Sequence, residues 1–78
     1  MIADLVPDVV VNLAMDNGWS AARAWREHRG LSQAAIAASM GVSQSAVAQF
    51  ESAEAKLKAA TVTKLAAALA VSPEQLRW

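Results

Sequence analysis

The chain has 78 residues, with seven basic and seven acidic side chains, a formal net charge of zero and no cysteine. This length predicts a single domain, and the lack of cysteine excludes disulfides and cysteine-ligated metal sites. Alanine supplies 19 residues, against three glycines and no tyrosine, which favours an all-helical fold. No apolar run approaches the roughly 20 residues of a membrane helix, and no signal-peptide pattern opens the chain, so we expect a cytoplasmic protein.

The charges are unevenly distributed along the chain. Residues 1–19 contain three aspartates and no lysine or arginine, whereas residues 20–64 contain six basic and three acidic residues. Non-specific affinity for nucleic acid comes from neutralising phosphates, so a net charge of zero predicts that it is modest. Any DNA binding should therefore depend on base contacts, on dimerisation or on a partner.

The first predicted helix starts at Pro7 and ends at Asn17-Gly18. Its apolar residues recur at three- and four-residue spacing, namely at Leu5, Val6, Val9, Val10 and Leu13. We treat residues 1–18 as an N-terminal helix available for dimer or partner contact. Ser20 is the predicted cap of a second helix from Ala21 to about Arg29, with Trp25 as its anchor in the core.

The next stretch, residues 31–52, reads L-S-Q-A-A-I-A-A-S-M-G-V-S-Q-S-A-V-A-Q-F-E-S. It predicts two short helices joined at Gly41, where a positive φ is needed and a Cβ is penalised. Val42 is expected to point inward. Ser43 is the predicted cap of the second helix, whose inner face is Val47 and Phe50. Two helices held in this way form a helix-turn-helix, which offers its second helix to the DNA major groove.

Downstream, residues 53–60 are predicted to form a loop. Thr61 is the predicted cap of another helix, which buries one face composed of Val62, Leu65, Ala66 and Leu69. Ser72-Pro73 has the pattern of a helix start, which predicts a short last helix ending at Trp78.

This organisation resembles a known family. The pattern L-S-Q-x-x-I-A-x-x-x-G-V-S-x-x-x-V-x-x-F-E is typical of the helix-turn-helix of the lambdoid phage repressor, or Xre-like, family, and the similarity covers roughly residues 20–77. The resemblance implies an all-α, compact, five- to six-helix, lambda-repressor-like DNA-binding domain with a central helix-turn-helix, which we place at residues 19–78. It also implies a homodimeric, sequence-specific repressor on a palindromic double-stranded operator, with no cofactor.

Three polar residues are candidates for base contacts. Gln44, Ser45 and Gln49 point outward if Val47 and Phe50 point inward, and the resemblance implies that these positions read bases. Glutamine can pair with adenine through two hydrogen bonds, and serine can contact several bases. A polar helix face that contacts only solvent would contain the same residue types, so the alternative of a merely solvated face stays open.

Five residues are candidates for phosphate contacts. Gln33 starts the first motif helix, where free N–H groups favour an anion, and the resemblance implies that it grips the DNA backbone. Ser43 could do the same, although capping explains it equally well. Lys56, Lys58 and Arg23 are further candidates, although charged residues of this kind are often only solvated.

The resemblance also implies a structural ion pair between Arg26 and Glu51. Such a pair fixes geometry more than it adds stability. The chain departs from the family after Glu51, where Ala53 and Glu54 replace the usual glycine and a frequent basic residue. The second motif helix must therefore end differently or run longer.

A softer similarity concerns the role of the regulator. The run A-W-R-E-H-R-G-L-S-Q, preceded by an acidic and apolar helix, resembles antitoxins of bacterial type II toxin–antitoxin operons, mainly over residues 6–33. It implies binding to a small basic toxin and repression of the protein's own operon. Two alternatives stay open, which are a stand-alone phage-type repressor and a protein-interaction module that has lost DNA binding.

Large apolar groups are hard to bury on so small a domain, so they are candidates for a dimer interface. These candidates are Trp19, Leu76, Trp78 and the run Val9–Val11. The single histidine, His28, lies in a charged helix and has no cysteine or carboxylate cluster near it in the sequence. Neither a metal site nor a catalytic triad is supported, and we predict that the protein is not an enzyme.

Overall fold

A computed structural model describes residues 6–78, which form five α-helices, one turn of 3-10 helix and no strand within that range. The elements are α1 (Asp8–Asn17), α2 (Ala21–His28), α3 (Gln33–Met40), α4 (Gln44–Phe50), α5 (Ala59–Leu69) and the 3-10 turn (Pro73–Leu76). The all-α prediction is confirmed. The sixth helix is absent from this range because the segment after Pro73 makes only one 3-10 turn. The predicted contribution of Leu5 to α1 lies outside the described residues.

Serine begins three of the helices. The hydroxyl oxygens of Ser20, Ser32 and Ser43 accept hydrogen bonds from backbone N–H groups three residues further on, at 3.2, 3.0 and 3.1 Å. Each bond satisfies an N–H that has no partner inside its helix. The predicted caps at Ser20 and Ser43 are confirmed, and the helix boundaries follow from them.

The start of α5 differs from the prediction. The helix begins at Ala59, after Lys58, and no side chain caps it. Thr61 therefore lies inside the first turn and is not the cap. The alanines at positions 59 and 60 extend the helix upstream because alanine has the highest helix propensity.

Several helices end at a residue whose backbone adopts the left-handed conformation, with positive φ. Gly41 ends α3 with φ of 70°, and the N–H of Val42 donates to the carbonyl of Ala37 at 3.0 Å. Ala70 ends α5 in the same way with φ of 59°, and the N–H of Val71 donates to the carbonyl of Ala66 at 3.0 Å. Among the described residues, Ala70 is the one non-glycine residue with positive φ.

The helices enclose one apolar core. Helix α1 packs on α2, α3 packs on both α4 and α5, and the 3-10 turn packs on α2 and α5. The predicted inner face of α5 is confirmed, because Val62, Leu65, Ala66 and Leu69 are all buried. Trp25 is 3% exposed, and its indole N–H donates to the carbonyl of Gln75 at 2.7 Å. None of the described helices is long and apolar enough to cross a membrane.

The expectation for Val42 is wrong, because its side chain is 37% exposed. The left-handed turn at Gly41 leaves Val42 on the outside of the corner between α3 and α4. Ala37 and Val47, both buried, fill the inner side of this corner.

We expect Ala70→Gly to stabilise the protein. An L-residue in the left-handed region costs about 1–2 kcal/mol, and glycine avoids that cost while losing part of the gain to the flexibility of the unfolded chain. The expected net gain is about 0.5–1 kcal/mol in the free energy of unfolding, measured by urea denaturation. Ala67→Gly, at an exposed position inside α5, is the control and should lower it by about 1 kcal/mol. An equal decrease in the free energy of unfolding of Ala70→Gly and Ala67→Gly would contradict the expectation.

Candidate nucleic-acid interface

Helices α3 and α4 form the helix-turn-helix, and α4 presents a polar face. Val47 is fully buried and Phe50 is half-buried, which fixes the inner side of α4. Gln44, Ser45 and Gln49 are all exposed, as contact with a ligand requires. Helix α4 has seven residues, so it is about 10 Å long and can lie within a major groove about 12 Å wide.

Arg26 of α2 forms a bidentate ion pair with Glu51, which lies at the end of α4. Arg26 Nε donates to Glu51 Oε2 at 2.5 Å, and Nη2 donates to Oε1 at 3.1 Å. The third nitrogen, Nη1, donates to the carbonyl of Leu31 at 2.9 Å. Both residues of the pair are buried, and the hydrogen bond to Glu51 raises the pKa of Arg26 although burial opposes it. The pair therefore fixes the end of α4 to α2.

Gln33 joins this pair. Its side-chain Nε2 donates to Glu51 Oε1 at 3.1 Å, so one carboxylate holds α2, the start of α3 and the end of α4 together. The amide nitrogen carries a second hydrogen, which this bond does not use. Glu51 thus orients Gln33, the residue that the family resemblance implies as a contact with the DNA backbone.

The remaining candidates for phosphate contacts occupy different settings. Lys56 and Lys58 are exposed in the segment between α4 and α5, and they border a cavity of about 390 Å³ together with Gln49 and Thr61. These two lysines form no ion pair within residues 6–78. They therefore stand as uncompensated positive charges beside the end of α4. Ser43 is exposed, and its hydroxyl oxygen serves as the cap of α4.

Arg23 is engaged within the chain. Its guanidinium lies 4.4 Å from the centre of the Trp19 ring, and its Nε is 3.5 Å from Glu27 Oε2. A cation over an indole face is attracted to the ring quadrupole. The charge of Arg23 is thus partly compensated, in contrast to those of Lys56 and Lys58.

The chain turns after α4 without the glycine of the family pattern, since Ala53 occupies that position. The helix ends at Phe50 and does not run longer. Ser52 Oγ accepts a hydrogen bond from the N–H of Glu54 at 3.3 Å and donates one to the Glu54 carboxylate at 2.8 Å. The role of Ser52 was not predicted, although serine hydroxyls commonly form turns by bonding the backbone two residues further on.

The single histidine of the sequence lies on the surface of α2. His28 is exposed, and its ring lies 6.1 Å from that of Trp25 in an edge contact. No group of three or more histidine, cysteine, aspartate or glutamate side chains that could hold a metal ion is found among residues 6–78.

The comparisons with known proteins agree with this geometry. The model of the helix-turn-helix family HTH_3, which is Xre- and lambda-repressor-like, matches residues 23–76. The chain belongs to this family. HTH_3 proteins are DNA-binding transcription regulators and are not typically enzymes. No curated protein and no solved structure matches the chain.

We expect Glu51→Ala to lower both the stability and the DNA affinity of this HTH_3 protein. Removing one partner of a buried pair leaves the other charge uncompensated, which costs about 3–5 kcal/mol in the free energy of unfolding. Calorimetric melting and a DNA titration below the melting temperature measure the two effects. Glu74→Ala, which removes an exposed acid outside the pair, is the control and should change the free energy of unfolding by under about 0.5 kcal/mol. An unchanged melting temperature for Glu51→Ala would disprove the structural role of the pair.

Proposed function

We propose that the protein is a sequence-specific transcription repressor that places α4 in the major groove of a palindromic operator as a homodimer. The observation that carries this proposal is the exposed polar face of α4, held in position by the buried Arg26–Glu51 pair. The match to the HTH_3 family supports DNA binding as the activity. Two half-sites would lie about 34 Å apart, one turn of DNA, or a multiple of this spacing.

Gln44, Ser45 and Gln49 are the proposed base contacts. Gln44 and Gln49 can each form two hydrogen bonds with adenine, and Ser45 can contact several bases. Ala48 lies between them on the exposed side and offers at most a methyl contact to thymine. Because the side chains around them are small, the two glutamines should carry most of the discrimination between sequences.

Gln33, Ser43, Lys56 and Lys58 are the proposed phosphate contacts, with Arg23 as a weaker candidate because of its contacts with Trp19 and Glu27. Lys56 and Lys58 have no partner of opposite charge within residues 6–78. Phosphate contacts position the protein without reading sequence. The two lysines should therefore set the salt dependence of binding, whereas Gln33 couples the DNA backbone to the Glu51 carboxylate.

The base contacts can be tested by capturing fragmented genomic DNA and sequencing it. Wild-type protein is expected to enrich a palindromic site, and Gln44→Ala/Gln49→Ala is expected to lose that enrichment because the paired hydrogen bonds are gone. Each lost pair should cost about 1–3 kcal/mol at its own base position. The control is Asn12→Ala, an exposed amide on α1, which should leave the site unchanged. The absence of any enriched site at low salt would instead favour a protein-interaction module.

The lysines can be tested separately by titrating the enriched site at several salt concentrations. Lys56→Ala/Lys58→Ala is expected to weaken binding to all sequences equally. It should also reduce the slope of log K against log salt by up to about 2, since each released phosphate contact contributes about 0.9. A slope equal to that of the wild type would show that neither lysine contacts a DNA phosphate.

A more specific role as the antitoxin of a type II toxin–antitoxin operon is favoured by the outer face of α1. Asp8, Asn12 and Asp16 are exposed there, and no basic residue occurs in residues 6–22. Val9 and Met15 add exposed apolar surface, and Met15 is 76% exposed. An acidic surface with an apolar component suits a basic protein partner, such as a small toxin. Residues 1–18 would then bind the partner protein, and residues 19–78 would bind DNA.

The antitoxin role predicts that the enriched site lies at the protein's own promoter, beside a gene for a small basic protein. That protein, once purified, should bind the wild type in a calorimetric titration. Binding to Asp8→Lys/Asp16→Lys should be weaker by at least about tenfold, because two attractive contacts become repulsive. Glu74→Lys, an exposed acid outside α1, is the matched control. No binding, or equal binding by the charge-reversed variant, would exclude α1 as the toxin surface.

A further inference from the structure

Helix α4 reads Q-S-A-V-A-Q-F and contains no charged side chain. It therefore lacks arginine and lysine, which read guanine through its O6 and N7 atoms in the commonest specific contact with a base. The next cations along the chain are Lys56 and Lys58 in the segment after α4, and they are the proposed phosphate contacts. Base reading by α4 thus depends on neutral amide and hydroxyl groups.

The amides of Gln44 and Gln49 are available for such contacts. Both residues are exposed, and neither amide hydrogen-bonds to another group within residues 6–78. Gln33 differs, because its amide nitrogen already donates to Glu51 Oε1 at 3.1 Å. Five positions of an α-helix correspond to a rise of about 7.5 Å, and successive base pairs are about 3.4 Å apart. The two glutamines of α4 can therefore each contact a different base pair.

Adenine offers glutamine one acceptor and one donor in the major groove. The side-chain N–H of glutamine donates to adenine N7, and its side-chain carbonyl accepts from the N6 amino group. One N6 hydrogen is bound to thymine O4 within the base pair, so the glutamine carbonyl uses the other one. A methyl group on N6 replaces this outer hydrogen, because the base pair needs the inner one. The glutamine carbonyl then faces a methyl group and has no donor.

We infer that methylation of adenine N6 in the operator weakens binding of this protein, an inference that rests on the sequence-specific repressor proposed above. An unpartnered carbonyl in an interface costs more than the lost bond, because it has also given up its water. The other exposed residues of α4, Ser45 and Ala48, carry no amide that could replace it. Each methylated adenine should therefore weaken binding by about tenfold. An adenine methyltransferase acting on the operator would thus relieve repression.

The test is a fluorescence anisotropy titration of the operator duplex enriched in the capture experiment. The duplex is either unmethylated or carries N6-methyladenine at one adenine of one half-site, with each adenine substituted in turn. Wild type is expected to lose about tenfold in affinity at two adenines and to tolerate methylation at the others. Gln44→Ala should bind the unmethylated duplex more weakly and should no longer respond to methylation at one of these two adenines. Gln49→Ala should no longer respond at the other.

Two controls isolate the contacts of the glutamines. Lys56→Ala/Lys58→Ala should weaken binding to methylated and unmethylated duplexes by the same factor, because phosphate contacts do not read bases. A duplex with N6-methyladenine outside both half-sites should bind like the unmethylated duplex. Circular dichroism verifies that each variant is folded.

The outcomes separate this inference from the proposed function. Equal affinity of the wild type for all methylated and unmethylated operators, or an operator without adenine in its half-sites, would overturn the inference and leave the repressor standing. A methylation effect that persists unchanged in Gln44→Ala and Gln49→Ala would also overturn it, because the methyl group would then act through DNA shape or another residue. Failure of the wild type to bind any duplex more tightly than random DNA would instead refute the proposed function.

Discussion

A single carboxylate that accepts three hydrogen bonds determines how helix α4 is held. Glu51 follows α4 directly, and its oxygens accept hydrogen bonds from Arg26 of α2 and Gln33 of α3. The α4 helix has only seven residues, too few for an isolated helix to be stable in water. Its position therefore comes from these polar contacts and from the burial of Val47. The side chains proposed to contact bases therefore lie on a helix whose orientation is fixed by contacts on its opposite, inner side.

Much of the fold could be predicted from the sequence because local chemistry determines where the helices begin and end. Serines 20 and 43 cap helices as expected, and Gly41 adopts the left-handed conformation that a corner requires. The same rules did not predict the left-handed conformation of Ala70, because alanine is disfavoured at such a position. Tertiary packing also decided the exposure of Val42, which periodicity alone cannot determine.

The candidate site was partly predictable for a related reason. The outward residues of α4 follow from helical periodicity, so Gln44, Ser45 and Gln49 could be named from the sequence. Side-chain partners from distant segments could not be derived in this way. The bond from Gln33 to Glu51 and the contact of Arg23 with Trp19 depend on three-dimensional placement, and they change what each residue can offer to DNA.

The hydrogen bond from Trp25 to the carbonyl of Gln75 spans 50 positions of the chain. It has a consequence for synthesis on the ribosome, where the chain emerges from its N-terminal end. The partners of the Arg26–Glu51 pair are only 25 positions apart, so this pair and the helix-turn-helix can assemble first. The indole of Trp25 meanwhile stays without its acceptor until Gln75 has left the ribosome. Complete burial and pairing of Trp25 thus require the segment up to Gln75, and a chain shortened before that residue would leave the indole N–H of Trp25 without this acceptor.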